Sequence, residues 1–132
     1  MLRPSTGLWR LRAIKDRIGA VLDVSPSKYV WVELDLNGEM IGQWTYTGSM
    51  TEWFDPTALT STGTLYGIRS IDRKRAGIAV FDKTTGTWKP LSRSPKGHLI
   101  GAEGDQLVFQ SGDDLVWVLA SDVRAAESAD LR

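Results

Sequence analysis

His98 is the only histidine of this 132-residue chain, and the chain contains no cysteine. A Ser-His-Asp triad would have to use His98, with Ser92 or Ser94 near it in sequence, but the G-x-S-x-G nucleophile elbow is absent. One imidazole also falls short of the three or four ligands that a zinc site takes from histidine and cysteine. The sequence therefore predicts no catalytic residue, no metal site and no cofactor.

Acidic residues offer two further kinds of chemistry. "DLNGE" (35–39) and "SGDD" (111–114) resemble parts of calcium loops, but neither contains the full D-x-[DN]-x-[DN]-G pattern. Both fall where turn geometry itself favours Asn, Asp and Gly. A carboxylate pair for glycoside hydrolysis stays open at Glu52 with Asp55 or at Glu103 with Asp105, although acids this close in sequence on a loop are usually solvated. An enzyme is the least favoured of three functional interpretations.

The remaining candidate residues are better suited to ligand binding than to catalysis. The segment "TGSMTEWFDPTALTSTG" (47–63) has few strand signals, and long irregular segments in small domains are often functional. "DRKR" (72–75) is a basic turn suited to a phosphate or an acidic partner. The predicted ligand-binding residues are Trp53, Phe54, Asp55, Arg73, Arg75 and Trp88. The competing interpretation is that the rings pack in the core and the arginines are solvated at a hairpin tip.

Charge and hydropathy limit the partners. The chain has 16 basic and 16 acidic side chains, so no net field attracts nucleic acid or an anionic membrane. No apolar run is long enough for a secretory signal or a membrane span. The Arg-rich start "LWRLRAI" (8–14) alternates with period two, which indicates a strand rather than a transit peptide. We expect a soluble, cytoplasmic protein, unless the chain is a fragment that has lost its signal.

Short strand patterns repeat along the chain. They form three units, at about 8–46, 57–92 and 98–121, and the third unit ends one strand short of four. Equivalent turns advance by about 47 and then about 40 residues, which indicates a structural repeat. Residues 1–121 are therefore predicted to form one β-repeat domain. The polar tail 122–132 is expected to fray or to form a short helix.

The hairpin "YVWVELDLNGEMIGQWTY" (29–46) is apolar on both faces. Asn37-Gly38 predicts a two-residue type I′ turn. The register set by this turn pairs Tyr29 with Tyr46, Trp31 with Trp44, and Leu34 with Ile41. Four aromatic rings then share one face, while aliphatic residues cover the other. A sheet that is apolar on both faces lies between two other layers.

A β-propeller satisfies this requirement, because its four-stranded blades stack face to face and repeat about every 40–50 residues. The second unit, residues 64–95, resembles a blade of the kelch type. In that family a strand ends in an aromatic residue and Asp, a Thr-containing turn follows, and Trp opens the outer strand. The matching residues are Phe81-Asp82, Thr84-Thr85-Gly86 and Trp88, whereas Ile68-Arg69 replaces the double glycine. The resemblance implies blade topology and no family function.

We therefore predict an all-β fold, an antiparallel meander of about three propeller-blade-like repeats, with a single up-and-down β-barrel as the alternative. Propellers contain about four to eight blades, so a homo-oligomer or the remainder of a longer propeller is expected to complete the ring. The favoured function is a non-catalytic interaction or scaffold module, by analogy of fold. The alternative is a small-ligand or carbohydrate-binding protein that uses exposed Trp rings as platforms. The expected ligand is a protein or a saccharide.

Overall fold

Short runs rich in aliphatic, aromatic and β-branched residues form eleven antiparallel strands in the computed structural model, which describes residues 7–14, 17–25, 27–49, 51–91 and 97–123. The first sheet contains β1 (Gly7–Ile14), β2 (Arg17–Ser25), β3 (Lys28–Asp35) and β4 (Met40–Thr47). The second contains β5 (Glu52–Leu59), β6 (Leu65–Ile71), β7 (Lys74–Asp82) and β8 (Thr87–Pro90). The third contains β9 (His98–Glu103), β10 (Gln106–Ser111) and β11 (Asp114–Leu119).

Each sheet is a meander in which sequential strands are neighbours. This arrangement confirms the predicted all-β antiparallel fold. The alternative of one closed barrel is wrong for the described strands, because they divide among three separate sheets. A helical turn at residues 120–123 follows β11, and the rest of the predicted polar tail lies outside the described residues.

The register of β3 and β4 confirms the predicted aromatic pairs, Tyr29 with Tyr46 and Trp31 with Trp44. Beyond Glu33 the register shifts by a β-bulge, so Leu34 pairs with Met40 rather than with Ile41. The bulge lies next to the turn of this hairpin, and that turn differs from the predicted one.

The type I′ turn predicted at Asn37-Gly38 is wrong. The Gly38 N–H donates to the carbonyl oxygen of Asp35 at 3.0 Å, and of the two turn residues only Gly38 has a positive φ, of 85°. The Asp35 carboxylate accepts the N–H groups of Asn37 and Glu39, both at 2.9 Å. This side chain imposes a longer loop, in which a turn ends on a glycine in the left-handed region.

The segment 47–63 is not the irregular stretch that the sequence suggested. It contains β5, which begins at Glu52, before the predicted start of the second unit at about 57. Pro56 concealed the strand, because proline cannot donate to a neighbouring strand. It is tolerated here because β5 lies at an edge of the second sheet.

The basic turn predicted at 72–75 is shorter in the structure. Asp72 and Arg73 form it alone, with φ values of 51° and 67°, and Ile71 pairs with Lys74 across it. Two successive positive φ values at the tip of a two-residue hairpin are the geometry of a type I′ turn. Arg75 therefore belongs to β7 rather than to the turn.

The second sheet lies between the other two and is apolar on both faces. One face packs on the aromatic face of the first sheet, in a cluster of Val21, Trp31, Tyr46, Leu59, Leu65, Ala79, Phe81 and Trp88. The opposite face packs on the third sheet, in a cluster of Ala58, Tyr66, Ile78, Val80, Leu99, Leu107, Phe109, Ala120 and Val123. The first strands of the three units are neighbours, with β5 lying beside both β1 and β9.

Candidate binding cleft between the first two sheets

Two of the predicted ligand-binding residues meet directly. Phe54 of β5 and Trp88 of β8 stack with their ring centroids 5.4 Å apart and their planes 6° from parallel. Tyr46 of β4 meets the edge of this pair, with its centroid 5.6 Å from that of Trp88 and an interplanar angle of 82°. The three rings form one wall of a cleft of about 350 Å³ between the first and second sheets.

Polar residues form the rim of this cleft. Ser49, Glu52 and Thr87 line it together with the three rings. The Ser49 hydroxyl accepts the Glu52 N–H at 3.0 Å and fixes the link between β4 and β5. Arg69 holds the Glu52 carboxylate by an ion pair at 2.6 Å. An aromatic wall beside fixed polar groups suits a ligand that has both an apolar surface and hydroxyl groups.

Trp88 is not the exposed platform that the sequence suggested, because only 9% of its surface is accessible. Its ring covers Gly67 so closely that a Cβ at that glycine would lie 2.9 Å from the ring carbons. The half-buried ring of Phe54 is therefore the aromatic surface that a ligand in the cleft reaches first. Trp88 Nε1 and the Tyr46 hydroxyl have no hydrogen-bond partner within the described part of the chain.

The Tyr46 hydroxyl is held in its protonated form. Burial raises the pKa of Tyr46 far above its usual range, and the nearby Asp55 carboxylate and Tyr29 raise it further. A phenol that keeps its proton remains a hydrogen-bond donor, and here its oxygen is buried. Asp55 is itself buried and acts on the cleft through this electrostatic effect.

The other predicted residues lie elsewhere. Trp53 precedes Phe54 in β5, so the two side chains project to opposite faces of the second sheet. Arg73 is exposed at the hairpin tip, and Arg75 lines a small cavity of about 50 Å³ with His98 of the third sheet. The structure thus does not bring the arginines to the aromatic cleft.

A buried charged network was missed by the sequence reasoning. The fully buried Glu33 carboxylate binds Arg17 Nη1 at 3.0 Å, Lys83 Nζ at 2.6 Å and Trp31 Nε1 at 2.8 Å. Glu33 follows Tyr29 and Trp31 at period two, so it is an acid on a face that is otherwise aromatic. That position was the signal available in the sequence, because a buried carboxylate requires cationic partners.

Within the described ranges, no group of three or more His, Asp and Glu side chains is arranged to hold a metal ion. Among the same residues, no helix has the length and apolar character needed to cross a membrane. Comparisons of the chain with protein-family models, with curated proteins and with solved structures gave no match.

Proposed function

We propose that this chain is a non-catalytic interaction module of the β-propeller type, in which each of the three sheets acts as a blade. The observation that carries the proposal is the stacking order. Consecutive sheets pack face to face, and their first strands, β1, β5 and β9, lie side by side. Radially arranged blades place the first strand of each meander nearest the axis, and they bury both faces of every inner blade.

Exposed apolar residues at both ends of the stack support a role in assembly. They are Leu36, Met40 and Ile41 on the first sheet, and Ile100, Leu115, Trp117 and Leu119 on the third. Large exposed side chains grouped in this way usually mark a contact surface. Three blades do not close a propeller, so a second copy or the remainder of a longer propeller would complete it.

Sedimentation velocity of the purified chain tests this function. We expect an assembly of two or more chains at micromolar concentration, and partial dissociation on dilution. A monodisperse monomer across that range would contradict the completion of the ring by a second copy.

A second candidate function is saccharide binding in the cleft between the first two sheets. Its volume of about 350 Å³ accommodates one or two sugar rings, which stack their apolar faces on aromatic rings. Phe54 would provide the stacking surface, while Ser49 and Glu52 would bind sugar hydroxyls. The observation in favour is the parallel Phe54–Trp88 stack beside a polar rim.

Isothermal titration with a panel of neutral mono- and disaccharides tests the second function. We expect binding in the millimolar range, loss of binding in Phe54→Ala, and unchanged binding in the control Leu36→Ala, which lies at the β3–β4 hairpin. If no sugar produces heat or alters tryptophan fluorescence, the cleft is not a saccharide site.

A further inference from the structure

β11 is the outer strand of the third sheet, and it is apolar from Leu115 to its end at Leu119. Residues 115–119 read Leu-Val-Trp-Val-Leu, and four of these five side chains are 39–49% exposed. No strand of the described chain pairs with its outer edge. Edge strands are normally protected by charge or proline, as β8 is by Lys89 and Pro90. β11 has neither in this run.

The backbone groups that point outward can be assigned from the pairing with β10. Val116 pairs with Phe109 and Val118 with Leu107, and the Ala120 N–H donates to Asp105 at 2.9 Å. Successive residues of a strand direct their N–H and C=O groups to alternate sides. Even-numbered residues therefore bond to β10, and Leu115, Trp117 and Leu119 present their backbone groups at the outer edge.

The exposed edge is self-complementary. We propose that β11 pairs antiparallel with β11 of a second copy of this chain, about a two-fold axis through Trp117. Leu115 then lies opposite Leu119 of the second copy, Val116 opposite Val118, and Trp117 opposite its own equivalent. This register joins residues whose backbone groups point outward, and it creates the isologous contact that a two-fold dimer requires.

The two alternative registers that keep the backbone pairing are less favourable. A shift by two residues in one direction places Asp113 opposite Leu119, which sets a carboxylate against an apolar side chain. The opposite shift places Leu115 opposite Ser121 of the second copy. Ser121 belongs to the helical turn after the strand, so it is not in an extended conformation that can pair. The register about Trp117 places Asp114 opposite Ala120, so no carboxylate faces another. The palindromic sequence thus favours one register and a second copy as the partner.

Engineered cysteines test the register directly, because the chain has none of its own. Val116 and Val118 of the second copy form a non-hydrogen-bonded pair, in which the Cα atoms are about 4.5 Å apart, a separation that a disulfide spans. The double variant Val116→Cys/Val118→Cys is expected to form an interchain disulfide under mild oxidation. Each single variant is the matched control, since its thiol would face a valine.

Intact-mass measurement under non-reducing conditions gives the result. A covalent dimer of the double variant, with little or none in either single variant, supports the pairing. An absence of covalent dimer, or equal amounts in all three variants, overturns it.

Charge substitution provides a second, independent measurement by sedimentation velocity. Leu115→Lys/Leu119→Lys is expected to be monomeric, because like charges would then oppose each other, whereas Leu115→Lys/Leu119→Glu is expected to dimerise. Thr84→Lys, at an exposed position in the turn between β7 and β8, is the control that should leave the dimer unchanged. Circular dichroism confirms that each variant is folded.

The inference rests on the proposed function only in treating the chain as a module that assembles. If the wild type assembles and the Lys/Lys variant assembles equally well, edge pairing is wrong while the interaction module stands. If the wild type itself is monomeric, edge pairing fails together with the completion of the ring by a second copy.

Discussion

The Lys83 ammonium and the Glu33 carboxylate lie 2.6 Å apart and join the second sheet to the first. Glu33 is fully buried in β3, whereas Lys83 lies in the turn between β7 and β8. Lys83 also donates to the Gly63 carbonyl at 2.7 Å, so it links three segments of the chain. The Glu33 carboxylate in turn accepts from Arg17 and from the indole of Trp31. A buried charge with this many partners orients the two sheets relative to each other.

Removing the carboxylate is expected to be costly. Glu33→Ala should lower the free energy of unfolding by about 3–5 kcal/mol, because two cations and an indole N–H lose their shared acceptor. Lys83→Ala should cost less, since Arg17 still pairs with Glu33. Urea unfolding followed by tryptophan fluorescence measures both changes.

Lys89→Ala is the matched control for this prediction. Lys89 pairs with Asp82 at 3.3 Å on an exposed surface, and such pairs contribute little to stability. If Glu33→Ala destabilises no more than Lys89→Ala does, the buried network does not hold the sheets together.

Turn geometry illustrates where the sequence was sufficient and where it was not. The order of the strands followed from turn residues and period-two patterns, and the structure has that order. The type I′ geometry occurs at Asp72 and Arg73 rather than at Asn37-Gly38, because the Asp35 carboxylate draws the latter into a longer loop. Such side-chain competition for backbone N–H groups decides a turn locally and is not visible in dipeptide preferences.

Arg73→Gly is expected to stabilise the protein by about 0.5–1 kcal/mol. An L-residue with a side chain pays a steric penalty at positive φ that glycine avoids. The control is Arg75→Gly in β7, which should destabilise by a similar amount because glycine weakens a strand. Thermal unfolding distinguishes the two variants, and stabilisation by both or by neither would contradict the assigned turn.

Gly67 provides a prediction about close packing under a tryptophan. A Cβ there would lie 2.7 Å from the Asp55 carbonyl oxygen and 2.9 Å from the Trp88 ring. We expect Gly67→Ala to destabilise by about 1–3 kcal/mol, because the backbone oxygen cannot move aside easily. Gly101→Ala is the control, since nothing lies within 4 Å of its Cβ position, and it should be neutral. Equal shifts of the urea midpoint in Gly67→Ala and in Gly101→Ala would contradict this packing.

The candidate site was only partly predictable. Phe54 and Trp88 were chosen for their ring type, and the structure stacks them. Their meeting with Tyr46 depends on how the first two sheets are offset, and strand patterns carry no information about that offset. Arg73 and Arg75 were chosen for charge alone, and charge did not indicate which side of the second sheet they occupy. Residue type therefore identified some of the chemistry, and packing between sheets determined the site.

Trp31→Ala should be among the most destabilising single substitutions in the first sheet. The ring is fully buried, covers Gly19 and donates its indole N–H to Glu33. Truncating a buried tryptophan to alanine costs about 3–5 kcal/mol. Leu36→Ala, at an exposed position, should change the free energy of unfolding by less than about 0.5 kcal/mol. A Trp31 variant of normal stability would show that this face is open and would return its four rings to consideration as a ligand surface.

Tyr46 should make stability fall at alkaline pH. Burial raises its pKa in the folded state, so above pH of about 10 the unfolded chain releases the phenolic proton while the folded chain retains it. The contribution of this group is therefore constant below that pH and is lost progressively as the pH rises further. In Tyr46→Phe this part of the alkaline decline should disappear.

The same variant should be at least as stable as the wild type at pH 7, because the buried hydroxyl has no partner among the described residues and phenylalanine removes a desolvated polar group. Urea unfolding from pH 7 to 11 measures both effects as the difference between the two proteins, which cancels the titration of lysines common to both. If the free energies of unfolding of the two proteins stay a constant distance apart from pH 7 to 11, the phenol is hydrated in the folded state. A loss of stability at pH 7 would instead mean that the hydroxyl forms a hydrogen bond that stabilises the cleft.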